Sequence, residues 1–277
     1  MPRGKQTKNS AFSLKRDVAV YLKYLHMHFL VGLQYKGWWL MVINVLVTCV
    51  TDILPAFLMF SLMGNIGAWS WERILLIYAL AVTSFGLAES FCRGFDYFPW
   101  HMLRSGDFDR LLLRPRSLPA QVAGSYFHIH RLARVATGLC AIVWALGRLG
   151  VRATPFYAAV VIFALVGGAL VYSGVFVMSS GIAFYTIKAL DWIYIVTNAS
   201  YQVTRIPIDY MPPIFRHAFT FVMPMLVISY MPAAAVCGWN GAHPLTGFLA
   251  LPAGAVFLAL SRLVWQNGVR RYQSTGS

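Results

Sequence analysis

Nine of the 277 residues are acidic, and three of them, Asp52, Glu89 and Asp191, lie in or beside long apolar runs. An ionised carboxylate among hydrocarbon costs several kcal/mol unless it is paired or hydrated. Two roles follow. As a polar path, Asp52 and Glu89 would join Trp192, Tyr194, Asn198 and Tyr201 in a route for a cationic or zwitterionic amphiphile, the rings helping through cation–π contacts. As structural charges, Glu89 would pair with Arg93 one helical turn away, and Asp191 would sit interfacially beside Lys188. The structural reading is preferred. The pairs His26/His28 and His128/His130 raise metal ligation, but residues two apart on a helix point to different sides, which suits one ion poorly. Interfacial or solvated histidine is the better reading. Cys49, Cys92, Cys140 and Cys237 are isolated and read as small buried hydrophobes. There is no HExxH or His/Asp cluster for catalysis and no GxxxxGK[ST] loop to cradle phosphates. No enzyme activity, metal or cofactor is expected in this chain.

The elements that must position these groups belong in a membrane. The chain is 58% hydrophobic and 12% charged, with a mean hydropathy of +0.62, whereas soluble domains carry roughly 25% charge. A net charge of +14 and a pI near 9.9 could indicate a nucleic-acid partner. The basic residues, however, crowd beside the apolar runs on one side, as the positive-inside rule expects, so no nucleic acid is expected. No secretory signal is evident: the first apolar run starts near Trp38, behind a basic leader, and is too long for a signal core.

Residues 1–10 read as a basic tail. Leu14, Val18, Tyr21, Leu22, Leu25 and Phe29 then recur at helical spacing away from Lys15, Arg16 and Lys23, predicting an interfacial amphipathic helix within a 1–36 leader. Residues 37–277 form a single transmembrane domain. Its spans are expected at about 38–62, 70–92, 126–147, 155–183, 188–206 and 245–266, with a cytoplasmic loop at 93–120. Ala164, Gly168, Ala169 and Ser173 offer a small-residue surface for close helix approach. Arg148 and Arg152 are a mild exception to the charge rule in an outer loop. Because Arg270 and Arg271 place the tail in the cytoplasm like the N-terminus, the crossings must be even in number. Residues 188–206 then cross, and 212–240, with Pro224 and Pro232, form an outer re-entrant segment. The alternative exchanges the roles of those two segments. The fold class is all-α, integral membrane, with six transmembrane helices.

Three stretches carry a family likeness. FDYFPWHMLRSGDFDRLLLRPRSLPAQV contains Gly106-Asp107-Phe108-Asp109, Leu111 to Leu113 and Arg114-Pro115. IPIDYMPPIFRHAFTFVMPMLVISYMPAAAVCG has an Ile-Pro, a downstream proline and an apolar segment. WQNGVRRYQSTGS closes the chain. In this order they resemble the permease subunits of type-2 ATP-binding-cassette (ABC) exporters, in a poorly characterised subfamily that often has two different permease chains. The resemblance implies the six-span fold with both termini cytoplasmic, in a bacterial inner membrane. It also implies an ABC ATPase dimer as partner, which binds ATP and Mg, and a second permease subunit, more often a related chain than a second copy. Membrane lipid surrounds the complex.

The ATPase then needs a handle, and 93–118 is the candidate. Phe95, Tyr97, Phe98 and Trp100, with Asp96 and His101 among them, offer aromatic anchors for a groove. Arg104, Asp107, Asp109 and Arg114 would orient the contact through charge pairs. Ser105-Gly106 breaks one short helix, Asp107 is suited to N-cap the next, and Pro115 stops it. The competing reading of this stretch is an ordinary solvated loop with positive-inside charges. For the whole chain, the alternative function is an ion-gradient-driven secondary transporter of small amphiphiles, which would usually need acids at mid-bilayer and internal repeats. Neither is clear here.

Overall fold

The chain is described by a computed structural model over residues 10–186 and 202–273. Among these residues the regular structure is helical, with one isolated bridge between Ile66 and Trp69. Helix α1 spans Ser10–Gln34. The apolar runs then give α2 (Trp38–Met63) and α3 (Trp71–Phe98). The segment between the second and third spans adds α4 (Asp107–Leu112) and α5 (Leu118–Gly124). Two further long helices follow, α6 (Leu132–Arg148) and α7 (Pro155–Ala183). Beyond residue 202 come α8 (Pro213–His217), α9 (Met225–Ile228), α10 (Tyr230–Cys237) and α11 (Ala250–Arg271). Five described helical stretches are long and apolar enough to cross a bilayer, or six if the bent pair Pro213–Val222 and Met225–Cys237 counts as one. The all-α integral membrane class expected from the sequence is what the structure shows.

Helix α3 is the axis. It is buried along most of its length, whereas α2 buries only Val45, Ala56 and Phe60 among its described side chains and exposes Leu62 at 85%. A bare apolar face of that length belongs against lipid or another protein. The second span also runs further than residue 92. Pro99 lacks an N–H, and instead of ending there the helix widens into a π-type turn over Pro99–Leu103, with the Arg104 N–H bonded to the Pro99 carbonyl at 3.1 Å. The third span begins later than predicted: a single 3-10 turn at Ile129–Arg131 precedes α6.

Two ends of the bundle are defined by contacts. Trp69, between α2 and α3, marks one end; the 99–118 segment marks the other. At the loop end Phe184 follows α7 and lies 5.5 Å, centroid to centroid, from Phe98. At the Trp69 end the indole N–H of Trp69 donates to Asp209 at 2.8 Å. Phe184 and Asp209 thus stand at opposite ends of the bundle. The predicted span 188–206 falls largely outside the described residues. From Asp209 the chain leaves Trp69 and returns to it: the Trp239 and Tyr230 rings each stand 6.2 Å from Trp69. In between, Pro213–Val222 and Met225–Cys237 meet at a 71° bend, and Ile228 reaches Gly168 and thereby the middle of α7. The segment thus leaves the Trp69 end and comes back to it. Its fully buried Met225 and Ile228 lie in protein, where irregular backbone is tolerated.

Helix α7 packs tightly against α11. Gly167, Gly174 and Gly181 recur every seven residues and face Gly254, Ser261 and Gly268, which repeat at the same interval on a partner running in the same direction. Small residues let the backbones touch, and a seven-residue period keeps the seam in register along both helices. The sequence reading chose Ala164, Gly168, Ala169 and Ser173; of these, Gly168 meets Ser84 of α3, so that stripe serves a different neighbour. A side chain at Gly181 would place its Cβ 2.8 Å from the backbone nitrogen of Trp265, while Gly147 in α6 has nothing within 4 Å. Gly181→Leu should therefore lower the stability of the purified protein by ~1–3 kcal/mol or more, the usual scale of overpacking, while Gly147→Leu leaves it unchanged. Thermal unfolding in detergent reads both; an unshifted Gly181→Leu would refute the seam.

Candidate functional site

Glu89 lies in the loop-side half of α3 with 2% exposure. It meets Arg93 on its own helix at 2.7 Å, Arg131 at the start of α6, and Arg134 at 3.5 Å. Arg93 also reaches Asp96 at 3.2 Å. The charge network is thus built by two helices, one turn apart on each. The sequence reading of Glu89 as a paired structural charge anticipated Arg93. It missed Arg131 and Arg134, which were read only as charges near a span end, because their proximity needs α6 to pack on α3. Asp52 has a partner too: Arg205 at 3.2 Å, with the Arg205 guanidinium 5.2 Å from the centre of the Tyr78 ring. Each described acid of the suggested polar path therefore faces arginine. Asp191, Trp192, Tyr194, Asn198 and Tyr201 lie outside the described residues.

Below this network α3 carries an aromatic cluster. Phe98 packs on Phe108 at 5.2 Å and on Trp265 at 4.8 Å; Phe95 packs on Trp265 at 5.1 Å; Phe108 packs on Tyr272 at 4.8 Å. Phe184 completes it. Ring pairs of this kind add ~0.5–1.5 kcal/mol each beyond burial. The Ser180 hydroxyl of α7 also donates to the Phe95 carbonyl. The cluster joins the end of α3, the short α4, and the ends of α7 and α11.

These contacts correct the predicted handle. Phe95 and Phe98 are buried inside the chain and cannot seat in an external groove. Asp96 and Tyr97 are half-buried, with Asp96 on Arg93 and the Tyr97 ring 5.0 Å from Tyr126. The exposed edge is made by Trp100, His101, Arg104 and Arg114, to which the structure adds Leu113 at 86% exposure. Arg104 stacks 5.9 Å from the Trp100 ring. Gly106 takes a left-handed turn, φ 79°, which redirects the chain into α4. Asp107 does not cap that helix with its side chain. The Ser105 hydroxyl donates to Asp107 at 2.9 Å, and Asp107 pairs with Arg110 at 3.1 Å. Helix α4 ends at Leu112, ahead of Pro115. Asp109, half-buried, lies in its first turn. Helix α1 lies against this end as well: the Tyr21 hydroxyl donates to the Phe91 carbonyl at 2.6 Å, and Arg114 donates to the Tyr24 hydroxyl at 3.3 Å.

A cavity of about 400 Å³ opens between α2 and the start of α6, lined by residues that include Asn44, Thr48, His128, His130, Arg131 and Arg134. The two histidines share it because His128 is extended (φ −125°, ψ 109°) rather than helical, which removes the helical premise of the sequence reading. Their rings are 5.2 Å apart. Burial and the nearby Arg131 push the His128 pKa below its ordinary value.

The architecture defines a class: a multi-pass, all-α membrane protein whose central helix continues past the bundle into an exposed, aromatic-anchored head. The particular family is shown by comparison. The family model described as ABC-2 family transporter protein matches residues 46–276, and the chain belongs to that family. It is a permease subunit of an ABC transporter, a type generally non-catalytic and associated with ABC ATPase partners. No curated protein and no solved structure matches the chain.

Glu89→Gln would leave three guanidinium groups around a neutral amide. Removing one partner of a buried charge network costs about 3–5 kcal/mol, so this variant should unfold at markedly lower temperature than the wild-type chain in detergent. Asp107→Asn, at an exposed ion pair worth ~0–1 kcal/mol, should barely shift. Equal unfolding of the two variants would contradict the role given to Glu89.

Proposed function

We propose that this chain forms half of the substrate pathway of an ATP-driven exporter and is moved by a separate ABC ATPase dimer, which binds ATP and Mg. The ATPase docks on the edge made by Trp100, His101, Arg104, Leu113 and Arg114. One observation carries the reading: the exposed edge continues rigidly into the membrane. Helix α3 runs without interruption from Trp71 to Leu103, and the Phe98–Phe108–Trp265–Tyr272 cluster ties the edge to α7 and α11. A push on Trp100 or Leu113 is therefore a push on three long helices, which a solvated flexible loop could not deliver. Trp and Arg are the side chains most often dominant at protein contacts.

Orientation follows from charge. Arg104, Arg110, Arg114, Arg116, Arg270 and Arg271 gather at the loop end, which the positive-inside rule assigns to the cytoplasm. Both termini then face the cytoplasm, and Trp69 faces outward across a bacterial inner membrane. Helix α1 lies along the cytoplasmic interface. The bare apolar face of α2 fits a second permease subunit, a related chain or a second copy, as well as it fits lipid. Export as the direction rests on the likeness of the loop, the re-entrant segment and the chain ending to export permeases.

The double variant Trp100→Ala/Arg104→Ala tests the docking edge. Both side chains are exposed, so thermal unfolding of the isolated chain should stay within ~0.5 kcal/mol of wild type. Loss of a central aromatic–arginine anchor of ~2 kcal/mol or more should cut retention of the ATPase on the tagged chain, and ATP-dependent transport, by at least tenfold. Full ATPase retention and undiminished transport would contradict the assignment.

A further inference from the structure

The cavity between α2 and α6 has a chemistry the charge network does not use up. Around Glu89 and Asp96 stand Arg93, Arg131 and Arg134: three guanidinium groups against two carboxylates, one positive charge in surplus. Arg131 and Arg134 both line the cavity, and each keeps a buried Nε–H without an acceptor among the described residues. A buried donor left so is unfavourable by ~1–3 kcal/mol. Arginines near a span end commonly snorkel their heads into water. The Arg134 side chain instead stays 90% covered, at 10% exposure, with its guanidinium 5.1 Å from the centre of the Phe85 ring. The polar wall is continued by Asn44 and Thr48 of α2.

Beside Asn44 and Thr48, the same helix lines the cavity with apolar Leu40, Met41 and Val45 and exposes further large apolar side chains along its length. A free inorganic anion would gain nothing from those apolar side chains. A molecule with a charged head and an apolar tail would gain from both.

We propose that this cavity binds the anionic headgroup of a membrane amphiphile, a phosphate accepting from Arg131 and Arg134, with the chain laid along Leu40, Met41 and Val45. Planar guanidinium donors suit phosphate oxygens, and basic pockets between membrane helices are a recurrent lipid-head motif. The proposal concerns this chain alone and holds whether or not the ATPase docks as described.

The experiment uses the full chain, purified in detergent and delipidated, then titrated with phosphatidylglycerol or phosphatidylcholine of matched tails and observed by native mass spectrometry. Phosphatidylglycerol should be retained about tenfold better, the equivalent of one charge-assisted contact. Asn44→Trp and Thr48→Phe fill the cavity without touching Glu89. Either variant that melts like wild type should lose the preference. Equal retention of the two lipids would overturn the proposal, as would a preference that survives both filled cavities. Displacement by inorganic phosphate with no lipid retained would reassign the cavity to a soluble anion and overturn it equally.

Discussion

A carboxylate at 2% exposure within a bundle of apolar helices constrains everything packed around it. An ionised carboxylate in hydrocarbon needs cations beside it, and those beside Glu89 come from two helices: Arg93 from α3, Arg131 and Arg134 from the start of α6. The charge thereby fixes the rotation of α3 and its height against α6, since a turn of slip on either helix would strand a charge in hydrocarbon. Apolar packing alone is less exacting, because lipid tails are as apolar as leucine and provide no burial drive between helices.

With α3 held in this way, its continuation becomes mechanically meaningful. The helix passes Pro99 by widening a turn instead of breaking, and its last aromatic residues are locked by Phe108, Phe184, Trp265 and Tyr272. The same end of α11 that supplies Trp265 is drawn close by the glycine seam, where Gly268 comes within 2.7 Å of the Gly181 carbonyl for a hypothetical Cβ. Charge network, aromatic cluster and glycine seam therefore act on one set of helices from three heights. What protrudes from the set is small: a tryptophan, a few arginines and Leu113.

The long apolar spans were legible in the sequence because hydropathy and length are local properties. The boundary at Leu103 was not, since the polar residues from Arg93 onward read as a loop after residue 92, and only backbone geometry shows the helix continuing through a π-type turn at Pro99. Which aromatics face outward was also hidden: Phe95, Phe98 and Trp100 look alike in a motif, and only the positions of α7 and α11 bury the first two. The chain ending was recognisable as a pattern before its physics was. Trp265 and Tyr272 belong to the aromatic cluster, and Gly268 to the seam. The partners of Glu89 and Asp52 required pairings 42 and 153 residues apart in the chain, which no periodicity encodes. Seven-residue glycine spacing in α7 is present in the sequence, but only the packed α11 shows that this spacing, and not the four-residue stripe, forms the close seam.

The central claim is that the exposed end of α3 receives work from an ATPase. A single-particle reconstruction of the tagged chain with everything it carries out of its native membrane tests this most directly. The account predicts ATPase density against Trp100, Arg104 and Leu113, at the loop end only. ATPase density at the Trp69 end, or an ATPase that leaves this edge bare, would contradict it.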